Sequence, residues 1–290
     1  MSDIDKFFSK ANELLDRLEK QVADPQQILA LSNSSAHRWR KENGIARFQE
    51  VKHLSDICLD DLHCLDRQKQ IISRNTEQFI NGLPANNVLL WGPRGTGKSS
   101  LIKATLNQFK SKGLRLIEVE RQHLIDLADI SEVLYQQEGR FIIYCDDLSF
   151  ESNDASYKAL KVILDGSISN TPDNLLIYAT SNRRHLMPEY MSDNQQSQMI
   201  EGELHLSEAI EEKISLSERF GLWLSFHPFN QTQYLSIVDH WIDQLDADKS
   251  DVKEMHKAAL KWALEHGSRS GRVAWQFARD WTGKKQLANL

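Results

Sequence analysis

Val88-Leu89-Leu90-Trp91-Gly92-Pro93-Arg94-Gly95-Thr96-Gly97-Lys98-Ser99 is the stretch that decides the fold. Four apolar residues run into the pattern G-x-x-x-x-G-K-[ST], and Ser99 to Phe109 then follow with helical spacing. A glycine-rich turn between a strand and a helix lets main-chain N–H groups wrap a polyphosphate, with the positive end of the helix behind them. Lys98 suits the β- and γ-phosphates of a nucleoside triphosphate, and the Ser99 hydroxyl suits Mg²⁺. Gly92, Pro93, Arg94, Gly95, Thr96, Gly97, Lys98, Ser99 and Ser100 are therefore the expected nucleotide-binding residues of a P-loop. A glycine-rich turn with a chance lysine has the same residue types but not this place in the chain.

Outward from the loop, short β-rich apolar runs recur at Leu114 to Val119, Phe141 to Cys145, Leu175 to Thr180 and Leu222 to Phe226, alternating with helical patterns such as Ala155 to Leu164. Near-continuous apolar strands between helices predict a parallel sheet covered on both faces, hence a three-layer α/β core. Beyond Pro228 only helical spacing remains, through Tyr234 to Leu245, Val252 to Ala263 and Val273 to Trp281, which predicts a helical lid. Before the core, Ile4 to Val22 reads as one amphipathic helix capped by Ser2 or Asp3. The expected division is an N-terminal helical segment over 1–50, a nucleotide-binding core over 51–228 and a lid over 229–290. Met187 to Glu203, rich in Ser, Asn, Gln and acidic residues, reads as a mobile loop.

The chain of 290 residues is 40% hydrophobic and 26% charged, a balance that permits a sizeable core with a smaller companion. Its start lacks a basic stretch followed by an apolar one, and no apolar run approaches membrane-spanning length, so a cytoplasmic placement without membrane contact is expected. Three cysteines, Cys58, Cys64 and Cys145, are an odd count without Cys-x-x-Cys spacing, which speaks against a disulfide framework and a structural zinc site. The net charge of -6 disfavours nucleic acid as a general partner. His37-Arg38-Trp39-Arg40-Lys41 and Arg47 form a short basic segment with one aromatic ring, for which a solvated charged face is the expectation.

Phe141-Ile142-Ile143-Tyr144-Cys145-Asp146-Asp147 delivers two carboxylates at the C-terminal end of a strand, where open α/β sheets bind ligands. Asp146 is placed to hold Mg²⁺ through water and Asp147 to polarise the attacking water. An Asp pair after a strand also serves as a turn or a helix cap; the upstream loop favours the chemical role.

With these motifs in order, the chain resembles the AAA+ ATPases over roughly Leu54 to Trp281. The resemblance implies ATP and Mg²⁺ as cofactors. It makes Asn182, in Tyr178-Ala179-Thr180-Ser181-Asn182, the first sensor, which orients water near the γ-phosphate. Arg219, in Ser217-Glu218-Arg219-Phe220-Gly221, matches the arginine finger that reaches a neighbouring subunit's site, which implies a homo-oligomer. Arg272, with Arg269 as the alternative, matches the second sensor from the lid. Ile57 to Asp66, with Leu59, Leu62 and Leu65, lies where the family flanks adenine with apolar side chains. The second motif of that family ends in Asp-Glu, whereas here it ends in Asp146-Asp147. Aspartate is one methylene shorter and holds the water less well; Glu151 is a second candidate base.

More narrowly, Leu83 to Gly92, Tyr144 to Glu151, Thr180 to Leu186 and Arg269 to Arg272 are similar to a bacterial group of predicted AAA+ ATPases of unknown cellular function. The expectation is a Mg-dependent ATPase that moves its lid and its oligomer against an unknown macromolecular client. A nucleotide-gated binding module, similar to a helicase loader and slow or inactive in hydrolysis, is the alternative.

Overall fold

The computed structural model describes residues 31–42, 45–150, 154–165, 173–184, 186, 198–200, 203–205, 216–246 and 251–288. In chain order these carry β1 (Ala36–Glu42), β2 (Ile45–Glu50), α1 (Asp66–Ile80), β3 (Val88–Trp91), α2 (Lys98–Phe109), β4 (Leu114–Glu118), α3 (Leu127–Tyr135), β5 (Arg140–Cys145), α4 (Ala155–Asp165) and β6 (Leu175–Ser181). Then come β7 (Gln198–Ile200), β8 (Glu203–His205), β9 (Leu222–Ser225), α5 (Gln231–Gln244), α6 (Val252–Glu265) and α7 (Gly271–Ala288).

Seven strands form one sheet in the order β2-β1-β4-β5-β6-β3-β9. Every neighbouring pair is parallel except β1 with β2. The alternation of side chains along the strands divides the core into two layers. Val88, Leu90, Leu116, Ile142 and Tyr178 pack toward α1 and α2, whereas Leu89, Ile117, Phe141, Ile143 and Ile177 pack toward α3 and α4. Both faces are covered, which is why the central strands read as continuous apolar runs. The lid helices continue the first layer: Tyr234, Val238, Ala259, Ala274 and Phe277 are buried in the same cluster as α1 and α2.

Helix α5 starts with a capping box. The Asn230 side chain accepts from the Gln233 N–H at 2.9 Å, and the Gln233 side chain accepts from the Asn230 N–H at 3.0 Å.

The expectation of a helical segment up to residue 50 is corrected for its described C-terminal part. Ala36–Glu42 and Ile45–Glu50 form an antiparallel hairpin that lengthens the core sheet at the β4 edge. Nor is the basic segment a plain solvated face. Arg38 pairs with Glu118 at 2.6 Å and Arg40 with Glu120 at 2.6 Å on one face, while on the other Trp39 is buried in the core and shares Asp126 with Lys41, which pairs with it at 2.8 Å. The expected helix over Ile4 to Val22 lies outside the described residues. So does most of the Met187 to Glu203 loop, whose described part includes strand β7, paired antiparallel with β8.

Candidate functional site

The loop Gly92–Gly97 joins β3 to α2 at the C-terminal end of the parallel sheet. Its glycines are required by geometry at two points. Gly92 has φ 141°, and a Cβ there would lie 2.2 Å from the Phe226 carbonyl oxygen; Gly97, the N-cap of α2, has φ 100°. Lys98 is 7% exposed, and its Nζ donates to the Gly92 carbonyl at 2.6 Å, the Pro93 carbonyl at 2.8 Å and Asn182 Oδ1 at 3.2 Å. Burial pushes the Lys98 ammonium below its usual pKa, against the opposing pull of Asp147 and Asp146. A cation left short of countercharge in this way attracts a polyanion.

Strands β5 and β6 supply the carboxylates and their holders. Ser99 Oγ donates to Asp146 Oδ1 at 2.8 Å, and Thr180 Oγ1 donates to the same oxygen at 2.6 Å. Burial by itself would raise the Asp146 carboxyl, but the Thr180 and Ser99 hydroxyls and the charge of Lys103 hold it below the usual carboxylate range. Thr180 also fixes the next residue: its Oγ1 accepts from the Asp147 N–H at 2.9 Å, and its carbonyl accepts from the Leu148 N–H at 2.7 Å. Asp147 sits at φ 52°, a left-handed conformation that Asp tolerates better than most residues. Its Oδ1 accepts from Asn182 Nδ2 and its Oδ2 from Arg94 Nη2 at 3.2 Å.

Beside the loop, a cavity of about 720 Å³ opens between core and lid. Gly95 to Ser100 form one wall, and Arg272 and Trp275 of α7 with Trp241 of α5 form another. Ile57, Leu62 and Leu65 close the end expected to flank a base, whereas Leu59 does not line it. The lid is tied directly to the loop, because the Gly271 N–H donates to the Gly95 carbonyl at 2.9 Å.

The structure thus brings together Gly92 to Ser100, Asp146, Asp147, Asn182 and Arg272. Arg219 stands apart, its guanidinium paired with Asp165. Arg269 does not line the cavity, and Glu151 lies outside the described residues. Sequence reasoning missed Thr180 as the residue that holds the Asp146 carboxylate and the Asp147 main chain, and Trp275 and His63 as cavity walls. Thr180 carried a signal, a hydroxyl at the end of an otherwise apolar strand. The others carried none that separated them from ordinary packing.

A phosphate loop on a parallel sheet, a carboxylate pair at the end of the next-but-one strand, a polar strand end beside it and a helical lid define an AAA+ P-loop ATPase. Within that class the chain belongs to the family described as "Protein of unknown function (DUF815)", whose model matches residues 32–285. Among characterised proteins it is 30% identical over 123 residues to proteasome-activating nucleotidase 1 of Haloferax volcanii, covering 38% of this chain and 30% of the relative. It is also 25% identical over 179 residues to an AAA-ATPase of Arabidopsis thaliana, covering 58% of this chain and 35% of that protein. The chain therefore spans about a third of the length of these relatives.

Solved structures with a similar fold include a Thermotoga maritima RuvB mutant, with TM-score 0.55 and 14% identity over 81% of this chain and 67% of that one. Another is the Aeropyrum pernix ORC1 protein in complex with DNA, with TM-score 0.51 and 14% identity over 74% and 58%. These likenesses speak to fold alone. No helix among the described residues is long and apolar enough to cross a membrane.

Proposed function

We propose that this protein is a Mg-dependent ATPase that couples ATP binding and hydrolysis to movement of its lid, within an oligomer that acts on a macromolecular client. The observation that carries the reading is the convergence of Lys98, Ser99, Asp146, Asp147 and Asn182 within one hydrogen-bonded group at the strand ends. Ser99 Oγ and Asp146 Oδ1 give an all-oxygen donor pair, which suits a hard divalent cation. Bound there, Mg²⁺ neutralises charge on the phosphate oxygens.

The chain's own residues do the rest. The loop amides and Lys98 hold the β- and γ-phosphates. Asp147 accepts a proton from the water that attacks the γ-phosphorus as the bond to the ADP oxygen breaks, and Asn182 orients that water. Arg272 brings the lid to the nucleotide, and Ile57, Leu62 and Leu65 face the base. Arg219 acts across a subunit boundary, exchanging its Asp165 partner for a neighbour's γ-phosphate. In this reading residues 51–228, with the hairpin attached, carry the nucleotide and 229–290 move against them.

Steady-state phosphate release by the wild type and by Lys98→Ala tests the enzyme. Release that the substitution abolishes supports it, and a nucleotide-loaded oligomer that releases no phosphate removes it.

One observation favours a second reading, a nucleotide-gated binding module: both carboxylate oxygens of Asp147 already carry donors, which holds the base away from water. Nucleic acid as the client is disfavoured by the net charge of -6, although the ORC1 structure is described as a complex with DNA. Anisotropy with labelled DNA across salt concentrations decides that point, and absence of binding at low salt excludes it.

A further inference from the structure

Arg94 occupies the third position of the phosphate loop, where the backbone does the cradling and the side chain is free to serve elsewhere. Its side chain is 75% exposed, and the guanidinium donates to Asp147 Oδ2 at 3.2 Å. The other oxygen of Asp147 accepts from Asn182, and Asn182 Oδ1 in turn accepts from Lys98 Nζ at 3.2 Å. The four side chains form one line, Lys98–Asn182–Asp147–Arg94, with a phosphate-seeking cation at each end. Lys98 spends its remaining donors on the Gly92 and Pro93 carbonyls, which a phosphate displaces.

A terminal phosphate competes for both cations. It accepts from a guanidinium through two parallel bonds and carries more charge than a half-exposed carboxylate. A diphosphate ends one phosphoryl group short of the same position. We infer that Arg94 is a positioning residue that latches Asp147 and is drawn off by a γ-phosphate. Release of the carboxylate is thereby tied to the triphosphate and not to the diphosphate. The inference rests on the nucleotide site proposed above. The latch is weak by design of its exposure, since an open ion pair of this kind biases an equilibrium by about two- to fivefold.

Both partners are exposed, so substitutions at either leave the core intact. The test is a double-mutant cycle read by binding, with the full chain, Mg²⁺, and two ligands: a non-hydrolysable ATP analogue and ADP. Wild type, Arg94→Ala, Asp147→Asn and the double variant are titrated with each. Asp147→Asn is expected to tighten the ATP analogue by about two- to fivefold more when Arg94 is present than when it is alanine, with no such coupling for ADP. Arg94→Lys is expected to keep part of the coupling. Equal tightening in both backgrounds, or the same coupling with ADP, overturns the latch. Failure of all four proteins to bind either ligand sinks the nucleotide site itself and the latch with it.

Discussion

The N–H of Gly271 donates to the carbonyl of Gly95 at 2.9 Å, so the last lid helix begins on the phosphate loop itself. The contact is close on the side-chain side as well: a Cβ on Gly95 would lie 2.8 Å from Ser270 Oγ and 2.9 Å from Ser270 Cβ. In the proposed function, a loop that tightened around a phosphate would pull on α7, and a lid that shifted would be felt at the loop.

Gly95→Ala tests that coupling. The residue has φ 76°, where a side chain costs about 1–2 kcal/mol, and the collision with Ser270 adds to this. Gly113 is the control, since it has φ 90° with no heavy atom near an added Cβ. Gly113→Ala should lower stability by the backbone cost alone and leave nucleotide affinity unchanged. Gly95→Ala should lower stability further and weaken nucleotide binding, measured by thermal melts and fluorescent-nucleotide titration. Equal behaviour of the two variants would show that the loop and lid are not coupled at this point.

The hairpin at the sheet edge is held by Asp126, which is 4% exposed and accepts from Trp39 Nε1 at 3.0 Å and Lys41 Nζ at 2.8 Å. Burial by itself would raise the carboxyl, but these two donors outweigh it and hold its pKa below the ordinary value. A depressed folded-state pKa contributes stability that is present above the unfolded value, about 3.9, and is lost as pH falls through the folded value. Asp126→Ala strands the buried Trp39 N–H and should cost about 1–3 kcal/mol at neutral pH. Denaturant titrations at pH 7 and below pH 4 should show the gap between wild type and Asp126→Asn shrinking as the pH falls. A gap independent of pH would mean that the ionised carboxylate is not what holds the hairpin.

That hairpin also shows where the sequence stopped being readable. Trp39 and its basic neighbours alternate with the period of a strand, but Arg38 and Arg40 each find a carboxylate 80 positions away, and without those partners the run looks like solvated charge. Helix α1 was silent for a related reason. Its mean polarity is high, and its buried positions include Asn75 and Thr76, which satisfy the hydroxyl of the buried Tyr178 at 3.0 and 2.8 Å. By contrast, β3 to β6 are apolar because they lie beneath helices on both faces, and that pattern survives in the bare chain. Of the site, the loop and Asp146-Asp147 were legible because their chemistry fixes residue type and spacing together. Trp275 and His63 were not, because whether an aromatic residue lines a cavity or fills a core is settled only by how the lid sits.

Arg219→Ala should abolish turnover while leaving nucleotide affinity within about twofold, because a side chain that acts on a neighbour's phosphate contributes little to its own subunit's binding. Mixing Arg219→Ala with Lys98→Ala protein should restore part of the activity, since each supplies what the other lacks at a shared boundary. Unchanged turnover in Arg219→Ala alone would assign the residue to its pair with Asp165.

Removing the carboxylate that Ser99 and Thr180 hold should make nucleotide binding insensitive to the metal. In Asp146→Asn, the ratio of affinities with Mg²⁺ and with EDTA should fall toward one, read by calorimetry. An undiminished ratio would place the metal on other groups.

The most direct measurement is calorimetric titration of the purified protein with ATP and Mg²⁺, in parallel with Lys98→Ala. Saturable binding by the wild type, weakened about ten- to hundredfold by loss of the charge-assisted bonds of one ammonium, is the predicted result. No saturable uptake by the wild type, or equal affinity in the variant, would contradict the account.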